Sequence, residues 1–210
     1  ASFLDEAAVN AKGVTPVKPW IDAIKAAPTK AALASEAGKL QRRGVGTLFG
    51  MYVSQDDKNP EQYVLQMAQG GLGLPDRDYY LKDDPKLAAN RTAYQAYLAQ
   101  MLTLAGEKDA ATRAAAVFNF EKELATVHWT RVESRDADKT YNSLTFDELR
   151  KQGAGFEWNE YLGALGVKPA GTVLFAQPSA LAGEAKVWAG TPLPVPVSYT
   201  HLTLPTSDLV

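Results

Sequence analysis

Between residues 48 and 68 the chain carries its one strong β signal, and most of what surrounds it is spaced for helices. Leu48-Phe49-Gly50-Met51-Tyr52-Val53 is a short apolar run, and further on Tyr63, Leu65 and Met67 alternate with Val64, Gln66 and Ala68. The stretch between them, Ser54 to Pro60, is rich in Asp, Asn and Pro. Such residues turn a chain through side-chain-to-backbone hydrogen bonds and a fixed φ. The spacing predicts an antiparallel hairpin over about 48–68 with a loop at 54–60. A lone hairpin among helices makes the fold class mainly α.

The helical segments have readable ends. The opening residues put Phe3, Leu4, Ala7, Ala8 and Ala11 on one face before Gly13. Read this way the chain starts inside a helix, with its true N-terminus missing. Pro19 suits the first turn of a helix through Trp20, Ile21 and Ile24 that Pro28 ends. Thr29 is a candidate N-cap for a helix to about Leu40, closed by Arg42-Arg43 and Gly44. Two long helices are expected, Pro85 to Ala105 and Asp109 to about Trp129, with Asp109 as a cap. Shorter ones follow at Thr145–Lys151, where Thr145 and Glu148 have capping-box spacing, and at Phe156–Leu165. Val173 to Ala176 reads as a short strand, and Ala180 to Trp188 as helix.

Charge and composition exclude several functions. Twenty-two basic and 24 acidic residues leave a net charge of −2, which is no electrostatic footprint for nucleic acid. No apolar run approaches the roughly 20 residues that span a bilayer, so no membrane span is expected. There are no cysteines, so disulfides, thiolate metal sites and a cysteine nucleophile are ruled out.

Candidate chemistry is thin. The two histidines are His128 and His201, too far apart for a His-x-x-x-His zinc pair. Glu121, Leu124 and His128 lie near one helical face; a Glu–His relay is one reading, and a half-buried histidine with a single hydrogen bond is the plainer one. Gly70-Gly71-Leu72-Gly73 suggests a phosphate loop, but G-x-G-x-x-G would need glycine at Asp76, and no Lys-Ser or Lys-Thr follows. A tight structural turn fits better. Asp56, Asp57 and Asn59 lack the ligand spacing and central glycine of a calcium loop. The sign-mixed stretch Arg131 to Lys139 reads as a solvated surface. On residue chemistry alone the chain holds no catalytic, metal or cofactor-binding set.

The last residues stand apart. Thr191 to Pro196 is expected to break the preceding helix, and Val197 to Thr206 has the partial alternation of an edge strand. The same ten residues closely resemble the conceptual translation of a sequencing-library adaptor. That reading divides the chain into a native part, 1–195, and a non-native tail, 196–210.

Two blocks carry a resemblance to a known family. The first is Asn59-Pro60-Glu61-Gln62-Tyr63-Val64-Leu65, leading to Gln69, Gly70, Gly71, Leu72, Gly73, Leu74, Pro75, Asp76, Arg77, Asp78, Tyr79 and Tyr80. The second begins at His128, Trp129, Thr130 and Arg131, runs to Asp136, and resumes at Lys139-Thr140-Tyr141-Asn142. Thr145 to Leu149 and Gln177-Pro178-Ser179 fit the pattern downstream. Together they resemble the N-terminal domain of the neprilysin and endothelin-converting-enzyme family of zinc metallopeptidases, in particular its bacterial members. The resemblance implies a helical region that, with a catalytic domain, encloses a cavity and limits access to short peptides. It further implies a catalytic zinc in the full-length parent, held by His-Glu-x-x-His on one helix and a Glu on a later one. None of those residues is present, so the quoted blocks are expected to be structural and the chain inactive by itself. Its expected partners are the missing catalytic domain of the same polypeptide and the parent's peptide substrates, and its expected location is periplasmic or extracellular. A free-standing, non-catalytic helical binding module is the alternative.

Overall fold

The structure, a computed structural model, describes residues 7, 11–168 and 170–202. The helix expected at 3–11 lies largely outside them. In chain order the elements are α1 (Lys18–Lys25), α2 (Lys30–Gln41), β1 (Phe49–Asp56), β2 (Asn59–Gln69) and α3 (Asp78–Leu81). Then come α4 (Pro85–Leu104), α5 (Ala110–Val127), α6 (Ala137–Thr140), β3 (Ser143–Thr145) and α7 (Phe146–Gln152). The last are α8 (Trp158–Leu165), β4 (Thr172–Phe175), α9 (Pro178–Gly190) and α10 (Pro194–Leu202). The fold is mainly α.

Several helices start where a side chain takes over the first free backbone N–H groups, as helix termini require. Thr29 Oγ1 accepts from Ala32 N at 3.2 Å, and Asp84 Oδ1 accepts from Lys86 N at 2.8 Å and Leu87 N at 3.0 Å. Thr145 and Glu148 form a complete capping box ahead of α7. Asp109 does not cap α5: its backbone sits at φ −105°, ψ 44°, and its side chain makes no cap bond. An N-cap carboxylate reaches back only from an extended backbone.

The hairpin is present but differs in detail. The strands run on through the expected loop, leaving Asp57 and Lys58 as a two-residue turn beside an irregularity at Gln55/Asp56. Asp56 Oδ1 accepts from Lys58 N at 2.8 Å and closes that turn. Residues 59–62 are exposed, where pairing needs no apolar face. The hairpin is also not alone. A four-stranded sheet has the order β1-β2-β4-β3, with β2 and β4 parallel and the other pairs antiparallel. β3 is only three residues long, with one buried position, too short for a periodic signal.

The preceding helix ends at Gly190, as expected, but residues 194–202 then form a second helix and not a strand; 203–206 of the expected strand lie outside the described residues. The prolines are tolerated because Pro194 and Pro196 lie in its first turn, where no intrahelical N–H bond is due.

The core surrounds the base of the sheet. Phe49 at the start of β1 meets Phe156, Trp158 and Phe175 with ring centroids 5.1, 4.8 and 6.3 Å away. Trp188 of α9 closes on Phe156 at 5.2 Å. All but the tilted Phe49–Trp158 pair meet edge-on, and such contacts add about 1 kcal/mol per pair beyond burial. α2 lies on α8, and α4 on α5.

Candidate functional site

β2 ends at Gln69, and the chain enters the glycine loop between α5 and α9. Gly71 sits at φ +80° with Leu124 and Leu48 closely against it, a conformation that strains any side chain. At Gly73 a methyl group would overlap the Tyr94 hydroxyl. The loop is shaped for close approach to two buried carboxylates, one on each side.

Glu121 of α5 is 2% exposed. Tyr80 donates to its Oε2 at 2.7 Å and Tyr94 to its Oε1 at 2.9 Å. The Tyr80 oxygen also accepts from Leu74 N at 2.9 Å, which ties the loop to the carboxylate. Burial pushes Glu121 up to about 7, with the two tyrosines and the Gly73 backbone pulling back. Burial, reinforced by Glu121, also raises both tyrosine hydroxyls well above their ordinary range.

Glu184 of α9 is fully buried. Its Oε1 accepts from Gly70 N at 3.0 Å and lies 2.7 Å from His128 Nε2, while Oε2 has no partner. Burial raises its pKa, and His128 and the Gly70 amide oppose the rise. Thus His128 pairs with Glu184, 56 residues away, and not with Glu121 on its own helical face.

The rest of the first block clamps the loop in place. Gln69 exchanges two hydrogen bonds with the Trp129 backbone, at 2.7 and 3.1 Å, and its N–H reaches Gln177 Oε1 at 3.0 Å. Arg77 Nε donates to Ala125 O at 3.1 Å, and Asp78 N to Asp76 Oδ1 at 2.8 Å. Arg131 approaches Asp76 at 3.4 Å on the surface. Trp129 Nε1 reaches Ser179 Oγ at 2.6 Å, and the Tyr79 carbonyl accepts from Arg91 at 2.9 Å. Leu72 and Leu74 are half-buried against the core, and Pro75 is exposed. Clefts of about 420 and 350 Å³ border the loop on the Glu121 and His128 sides.

Tyr141 and Asn142 belong elsewhere. Tyr141 donates to Asp56 Oδ1 at 2.9 Å, under the Lys58 ammonium 4.1 Å above its ring. Asn142 Nδ2 donates to the Lys139 and Phe175 carbonyls at 2.7 and 3.2 Å, fastening the segment to β4. Glu184 and Tyr94 escaped the sequence reading. The available signal was a carboxylate inside an apolar stripe: Ala180, Leu181, Glu184, Ala185 and Trp188 share the buried side of α9.

Among the described residues no group of three or more His, Asp and Glu side chains is placed to hold a metal ion. None of the described helices is long and apolar enough to cross a membrane.

Comparison with known proteins decides what this clamped loop belongs to. The N-terminal model of the family described as Peptidase family M13 matches residues 1–207. The chain belongs to peptidase family M13. Its fold is similar to the zinc metalloprotease Zmp1 of Mycobacterium tuberculosis in its open state, with a TM-score of 0.89 and 37% identity. That match covers 97% of this chain and 32% of Zmp1. An endothelin-converting enzyme homolog of Locusta migratoria is 34% identical over 124 residues, 57% of this chain and 17% of that protein. Endothelin-converting enzyme 1 of Rattus norvegicus is 32% identical over 119 residues, 56% of this chain and 16% of that enzyme. The chain therefore spans about a third of Zmp1, and its alignments reach about a sixth of these curated relatives.

Proposed function

We propose that the chain is part of the non-catalytic helical region of an M13 zinc endopeptidase, walling the substrate cavity and limiting entry to short peptides. The supporting observation is the match to Zmp1, which covers nearly the whole chain but a third of that metalloprotease. Added to this, the sequence has no His-Glu-x-x-His, and its two histidines are in no common cluster. Zinc, and the carboxylate that would activate water on it, belong in this reading to the catalytic domain of the same polypeptide, with peptides as the parent's substrates. The parent's location is periplasmic or extracellular. The chain itself is inactive: purified, it leaves short fluorogenic peptides uncut with or without added zinc. Chelator-sensitive cleavage would overturn the proposal.

We further propose that the native sequence runs to about Val195 and that residues 196–210 are foreign. The adaptor-like string supports this reading, and the family match through residue 207 stands against it. Long-read sequencing of the source locus across the Pro196 codon decides. A frame continuing into His-Glu-x-x-His supports the proposal; a genomic Val197–Val210 followed by a stop ends it and favours a free-standing binding module.

A further inference from the structure

The His128 side of the glycine loop carries polar groups that the clamp does not use. His128 borders the 350 Å³ cleft, with its side chain 5% exposed. Its Nε2 turns inward to Glu184 at 2.7 Å, while Nδ1, on the other edge of the ring, has no partner among the described residues and is not sealed in. Gln177, also buried, lines the same cleft. Its Oε1 takes the Gln69 N–H, but its Nε2 has only the Ser134 hydroxyl at 3.4 Å. Buried side-chain donors held that loosely are uncommon.

Around this floor the cleft has a charged rim and an apolar wall. Arg77 commits Nε to the Ala125 carbonyl, and its terminal nitrogens make no hydrogen bond to a described residue. Arg131 reaches Asp76 only at 3.4 Å. Among the described residues Asp76 is the one carboxylate of the lining, and it already accepts from Asp78 N. Leu72, Leu74 and Trp129 supply the wall. Donors exceed acceptors here, which favours an anion over a cation.

The carboxylate behind His128 decides what Nδ1 presents. Burial raises Glu184 to about 7, against the pull of His128 and the Gly70 amide. Near neutral pH the pair therefore takes up one proton beyond that of an ionised carboxylate beside a neutral ring. On Oε2 that proton would be a buried donor with no acceptor. It belongs instead to the ring or to the 2.7 Å contact, and in both arrangements Nδ1 carries an N–H. The other charged groups around His128 are Asp76, Arg77 and Arg131; Glu133 spends its carboxylate on the Thr130 N–H and hydroxyl at 2.8 and 2.7 Å.

We propose that this cleft binds a small organic carboxylate, its oxygens held by donors from His128, Gln177, Arg77 and Arg131 and its apolar body laid against Trp129 and Leu74. A cleft of about 350 Å³ suits a ligand the size of one or two amino-acid residues. Every lining residue precedes position 196, so the site stands whatever the origin of the tail. It is also independent of the chain's place in a peptidase.

The test is isothermal titration of the full 210-residue chain with N-acetyl-leucine at pH 6 and pH 8, with N-acetyl-leucinamide as the uncharged control. The acid is expected to saturate the protein with a Kd of about 1 mM or tighter at pH 6 and several-fold more weakly at pH 8, and the amide not to bind. His128→Gln sets an amide nitrogen in the place of Nε2, so the Glu184 bond is kept while Nδ1 is lost. It should weaken the acid about tenfold and abolish the pH dependence. Arg131→Ala, on the surface, should weaken it about twofold to fivefold. Equal binding of the amide, no saturation by the acid at either pH, or affinity unchanged in both variants overturns the proposal. If His128→Gln does not fold, the wild-type pH dependence and Arg131→Ala decide in its place, and the absence of both effects overturns it. Ala-Ala-Leu and its C-terminal amide separate two sources of the same chemistry. Binding of the free-acid peptide as tightly as N-acetyl-leucine supports the site as a receptor for chain ends; binding of the small acid alone supports it for free carboxylates.

Discussion

The glycine loop and the seat of α10 against α1, α4 and α5 both bury titratable side chains, and they do so in opposite ways. Around the loop, Glu121 and Glu184 each receive two directed partners drawn from distant parts of the chain; the one vacancy is Glu184 Oε2. Under α10, His201 is as deeply buried but poorly partnered: the Glu107 carboxylate stands 3.6 Å away and the Ile21 backbone lends support without a well-formed hydrogen bond. Desolvation shifts both kinds of group towards their neutral forms, so the carboxylates rise and the imidazole falls. Burial alone therefore does not distinguish a site built for a polar group from one that merely contains it; the count of directed donors and acceptors does.

That contrast breaks most visibly at Glu184. Glu184→Ala strands His128 and the Gly70 N–H in the interior together, and should cost about 3–5 kcal/mol, read as a lower denaturant midpoint. A variant within about 1 kcal/mol of the parent would mean that the loop does not depend on this pair. Tyr80→Phe is the next largest, at about 1–3 kcal/mol, because one hydroxyl serves both Glu121 and the Leu74 N–H.

The pH response sharpens the comparison. With Glu121 raised from its ordinary value to about 7, the folded state holds a proton the unfolded state has released between about pH 4.5 and 7. Its contribution to stability therefore falls as pH rises through that window. His201, lowered to about 4, acts in the other sense: its contribution falls as pH drops from about 6.5 to 4. Glu121→Gln should flatten part of the first limb, the remainder belonging to Glu184, and leave the second unchanged in urea titrations at stepped pH. A wild-type limb retained in full would dissociate Glu121 from it. The smallest effect belongs to the surface: Lys82→Ala removes an exposed ion pair with Asp78 and should change stability by less than about 0.5 kcal/mol.

Local features were legible because their causes are local. Thr29, Pro85 and the Thr145–Glu148 box announce helix starts within four residues, and the three glycines announce a close approach without saying to what. The rest depends on distant partners. His128 could be assigned a carboxylate on its own helix by spacing, yet its partner comes from α9, which follows β4 and packs against α5. Asp109 shows the reverse failure, a correct residue type at a helix start whose backbone angle denies it the role. β3 escaped because a three-residue strand carries no period.

The parallel pairing of β2 with β4 also has a consequence in time. Gln69 meets Gln177 across 108 residues, and Gly70 meets Glu184 across 114. At translation rates of about 5–20 residues per second, the glycine loop waits on the order of ten seconds for the strand and helix that complete it. During that interval the long edge of β2 and the stripe around Glu121 stand open on a nascent chain. Early folding must then rest on the neighbouring α4 and α5, and the ribosome's pace, or a chaperone's grip, sets how safely the hairpin's free edge survives until β4 emerges.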